Sequence, residues 1–68
     1  MTNYELLQRL DEQTHQVTDW EVEFLEGMLR RGENYQPSPK QKTVMMRMGE
    51  KYLDASTVAE WLGQERLL

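Results

Sequence analysis

At three points along the 68 residues a hydroxyl side chain three positions ahead of Glu or Gln precedes a helical apolar pattern: Thr2 with Glu5, Thr18 with Glu21, and Ser38 with Gln41. At that spacing the hydroxyl accepts from an open amide in the first turn of a helix, while the later side chain returns to the amide of the capping residue. Three helix starts in so short a chain leave room for helices, turns and little else. The expected fold class is therefore all-α, a small three- to four-helix domain over residues 1–68, with helices at about 3–13, 19–31, 39–53 and 55–62.

The second start is the strongest, because Val17 before the cap and Val22 after it supply a hydrophobic staple. From Asp19 to Arg31, residues Trp20, Phe24 and Met28 recur every four positions with Val22, Leu25 and Leu29 beside them. That apolar arc covers more than half the helix circumference and calls for two neighbours. Acids crowd the start of this helix and Arg30 and Arg31 close it, which suits the macrodipole at both ends. Gly32 is placed to end it. Pro37 then keeps Gln36 extended, Ser38 caps, and Pro39 takes the first helical position. The third helix carries Val44, Met45, Met48 and Tyr52 on one face, with Met46 and Leu53 on a flank.

Residues 18–53 thus read as an antiparallel helical hairpin on which the domain is built. The first helix docks on it through Leu6, Leu7 and Leu10. The last, capped by Asp54 or Ser56 and stopped by Gly63, covers one end with Val58, Ala59, Trp61 and Leu62, and residues 64–68 fray. Gly27 and Gly49 lie inside helices at about 1 kcal/mol each relative to alanine. One close helix crossing containing both would justify them.

With no cysteine and a single histidine, His15, in a polar turn, the chain has neither a disulfide framework nor the ligand spacing of a Cys/His zinc site. No metal or cofactor is expected, and His15 reads as solvent-exposed. Glu21, Glu23 and Glu26 are spaced as a cap and a solvated face, no nucleophile stands beside a base, and the four glycines are isolated from one another. The expectation is that the chain is not an enzyme. Neither a basic leader with an apolar stretch nor a run of 18 apolar residues occurs, so no membrane association is expected and a cytoplasmic location is.

The net charge of −4 is unevenly spread. Residues 1–26 carry a local charge of −6, whereas residues 27–52 carry +4. Such asymmetry fits either two solvated faces that compensate each other or a polyanion contact. On the second reading Arg30, Arg31, Tyr35, Ser38, Lys40 and Lys42 form a basic edge: the cations meet phosphates, Tyr35 stacks on an unpaired base, and the helix start at Ser38 adds anion affinity. The methionines divide in the same way between core filling and an adaptable binding surface. Trp20, Phe24, Met45 and Met46 are the candidates for holding a protein partner.

The pattern Asp-Trp-Glu-x-x-Phe-Leu (Asp19 to Leu25), Arg30, Gly32, Ser-Pro-Lys-Gln (Ser38 to Gln41) and Glu-Lys-Tyr (Glu50 to Tyr52) resembles a short helical segment of phage and bacterial proteins. Such segments occur in small stand-alone phage proteins and as appendages of replication and repair enzymes such as helicases. Over residues 17–53 the resemblance implies an accessory or tethering role near nucleic-acid enzymes, with no catalytic residues to carry over. The expected function is a noncatalytic interaction module that binds a protein of nucleic-acid metabolism. The alternatives are direct single-stranded nucleic-acid binding at the basic edge and a homodimer that completes its own core.

Overall fold

A computed structural model describes residues 1–13 and 16–67, the side chains of residues 64–67 excepted. Four helices follow one another: α1 (Asn3–Asp11), α2 (Asp19–Arg30), α3 (Pro39–Tyr52) and α4 (Ala55–Leu67). His15 lies outside the described residues.

All three capping boxes form. Thr2, Thr18 and Ser38 each accept from the third amide of their helix at 3.1–3.2 Å, and Glu5, Glu21 and Gln41 each return to the cap amide at 2.8–3.2 Å. Asp54, rather than Ser56, caps α4 by accepting from the Thr57 amide at 2.9 Å. Gly32 ends α2 with φ at +88°, a conformation that disfavours any residue with a β-carbon.

Although α1 is the shortest helix, its Leu6, Leu7 and Leu10 are all buried, and it packs against both α2 and α3. These leucines meet Leu25 and Met28 of α2 and Met45 and Met48 of α3 in one cluster that Trp61 of α4 completes. The Trp61 indole N–H donates to Asn3 Oδ1 at 2.7 Å, so the one polar atom of this buried ring is satisfied at the start of α1.

Two expectations need correction. Gly63 does not stop α4, which continues to Leu67; glycine inside a helix costs only about 1 kcal/mol, and the Gln-Glu-Arg-Leu that follows is made of good helix formers. Nor do the two mid-helix glycines share a crossing. A β-carbon at Gly49 would stand 3.0 Å from Val58 Cγ2, where α3 and α4 meet closely, whereas one at Gly27 would meet none of the described residues within 4 Å.

Candidate functional site

The surface that stands apart is set by Glu21. As third residue of α2 it closes the Thr18 capping box, and its carboxylate is buried because two residues from the end of α3 also reach it. Tyr52 donates its hydroxyl to Oε1 at 2.5 Å and Lys51 approaches Oε2 at 3.4 Å. Burial pushes this carboxyl upward, but the bonds from Thr18 and Tyr52 and the charge of Lys51 together outweigh it and hold the pKa down at about 2. The Lys51 ammonium, 4.8 Å from the Tyr52 ring centre, is held above the usual lysine range by Tyr52 first and Glu21 after it.

Trp20 lies about 100° around α2 from buried Glu21 and about 140° from buried Leu25, on the side away from the core. Trp20 is 59% exposed, and among the described residues it is the exposed large hydrophobic side chain. It lies against the Phe24 ring, centroids 5.7 Å apart and planes within 11°. Beside it a groove of about 230 Å³ runs between α2 and α3, lined by Trp20, Glu21, Val44, Arg47, Met48 and Lys51. An apolar floor with cations on the α3 wall and an indole at its rim suits an apolar side chain accompanied by a carboxylate.

The other candidates are dispersed. Met45 is wholly buried in the core and presents nothing to a partner, so of the two methionines singled out only Met46 stays accessible, half-buried in a shallow groove with Lys42, Thr43, Trp61 and Leu62. Phe24 is half-buried beside Trp20. Lys42 therefore faces α4, two residues around the helix from Lys40.

Arg30, Arg31 and Lys40 are exposed at the α2–α3 turn, but the Arg31 guanidinium lies over the Tyr35 ring, 4.8 Å from its centre, and Tyr35 donates to Gln41 Oε1 at 2.8 Å. One face of the expected stacking platform is already covered. At the Ser38 helix start Pro39 has no N–H, the Gln41 amide is taken by Ser38 Oγ, and that of Lys42 by the Ser38 carbonyl. Little is left there for an anion.

Among the described residues no group of three or more His, Cys, Asp or Glu side chains is placed to hold a metal ion, and no helix is long and apolar enough to cross a membrane. Comparison with protein-family models, with characterised proteins and with solved structures finds no match. The tie from Glu21 to Tyr52 and Lys51 and the place of Arg47 in the groove were not anticipated from sequence. Tyr52 on the same face as Val44 and Met48 was the available signal, since a half-buried tyrosine hydroxyl needs a partner.

Proposed function

We propose that this chain is a noncatalytic interaction module whose working surface is the Trp20 side of α2 with the groove it borders. One observation carries the reading: an indole stands in solvent at 59% exposure beside a buried carboxylate, in a chain whose other tryptophan is 2% exposed. Exposed aromatic side chains beside a groove with charged rims are the usual anchors of protein association. The half-committed cations and occupied amides of the α2–α3 turn support direct nucleic-acid binding less well. The resemblance of residues 17–53 is what directs attention to replication and repair proteins as the setting in which such a module works.

A photocrosslinking amino acid in place of Glu23, exposed on α2 one turn from an intact Trp20, compared with one at exposed Gln8 on α1, tests the reading in the cell that makes the protein. A discrete adduct from position 23 and none from position 8 is the expected result. Absence of any adduct at position 23 contradicts it.

A further inference from the structure

The interaction-module reading can be taken further, to the identity of the occupant. Gly27 sits in the middle of α2 with open space where its β-carbon would be, so none of the described residues accounts for a glycine that costs about 1 kcal/mol relative to alanine there. Trp20 lies seven residues earlier, two turns away and about 20° around the helix. A protruding indole and a glycine notch two turns apart on one helix face are complementary to themselves. Two copies of α2 laid antiparallel about a two-fold axis between Glu23 and Phe24 seat each Trp20 on the other copy's Gly27 and bring the two Phe24 rings together at the axis.

Charge agrees with this register. Asp19 opens α2 and Arg30 ends it, both exposed, and helical spacing puts them about 100° and 80° from Trp20 on the same flank. Antiparallel copies therefore set Asp19 of each within one turn of the other copy's Arg30, twice over. The two Glu23 carboxylates meet near the axis and weaken the pairing, as does the short contact, since 12 helical residues span only about 18 Å.

We infer that the occupant of the Trp20 face is a second copy of this chain, paired α2 against α2 with Trp20 seated on Gly27. An interface of this size belongs with weak, transient contacts, so dimer builds up between about 10 µM and 1 mM. Sedimentation equilibrium of the full chain over that range tests it, with circular dichroism to confirm that each variant is helical. The apparent mass should rise from 8.1 kDa toward twice that value, and Trp20→Ala and Gly27→Leu should remove the rise. Asp19→Arg and Arg30→Asp should each stay monomeric alone and associate when mixed, because only the mixed pair restores both charge contacts; a folding defect cannot mimic that rescue.

A wild-type chain that remains at 8.1 kDa at 1 mM overturns the inference, and so does a dimer that survives Gly27→Leu and gains nothing from the mixture. Monomeric behaviour together with a crosslink from position 23 to a different chain would remove the second copy and leave the docking surface. No crosslink of any mass would remove the surface itself.

Discussion

Glu21 does two jobs with one carboxylate: it caps α2, and it ties the end of α3 through Tyr52 and Lys51. The sign of its pH dependence follows from its pKa, lowered from 4.5 to about 2. A carboxyl with a folded-state pKa below its unfolded value contributes stability that is full above about pH 4.5 and is lost as pH falls toward 2. Glu21→Gln should therefore be destabilised by about 2–3 kcal/mol at neutral pH, and the gap to wild type should close as pH falls through that window. Urea unfolding at several pH values measures it; a gap that is constant with pH would mean that the carboxylate is not the anchor. The capping half of this role was legible in the sequence, because Thr18 and Glu21 are three residues apart. The tertiary half was not, since Tyr52 lies 31 residues away and nothing local pairs them.

At the scale of elements, the helix starts were legible for the same reason of locality, and each predicted cap is occupied. What spacing could not rank was which helix is central. The expected docking of α1 through Leu6, Leu7 and Leu10 is what forms, and it is central: all three leucines are buried and α1 packs against both α2 and α3. The end of α4 departs from the expectation at Gly63, because glycine stops a helix when the chain must turn away rather than whenever it occurs in one.

The mid-helix glycines separate the two meanings experimentally. In dilute solution Gly27→Ala should stabilise the fold by up to about 1 kcal/mol, since the added methyl meets nothing and helix propensity improves. Gly49→Ala should destabilise by about 1 kcal/mol, because its methyl would stand 3.0 Å from Val58 and a β-branched side chain in a helix has little freedom to rotate aside. Thermal unfolding of the two variants side by side distinguishes them, and equal shifts of the same sign would contradict the α3–α4 crossing.

For the whole molecule, the four helices use nearly all of their described large apolar side chains to close one core, sealed at one end by Trp61 on Asn3. Trp20 is left over. The apolar arc of α2 could not reveal this, because an arc of more than half a turn contains both the buried and the outward residues, and only the tertiary packing of Glu21, Leu25 and Met28 decides which part is buried. The candidate site was legible to the same extent: Trp20 and Phe24 were picked out, Met45 proved to be core, and the basic residues proved to be divided between the α2–α3 turn and the α3–α4 groove. The division of labour between the two tryptophans is the central claim. Fluorine resonances of 5-fluorotryptophan incorporated at both positions, assigned with Trp20→Ala and recorded on a dilute sample with a soluble paramagnet, test it directly. The Trp20 resonance should broaden strongly while that of Trp61 stays sharp; a protected Trp20, or two resonances broadened alike, would mean that α2 does not present this face to solvent.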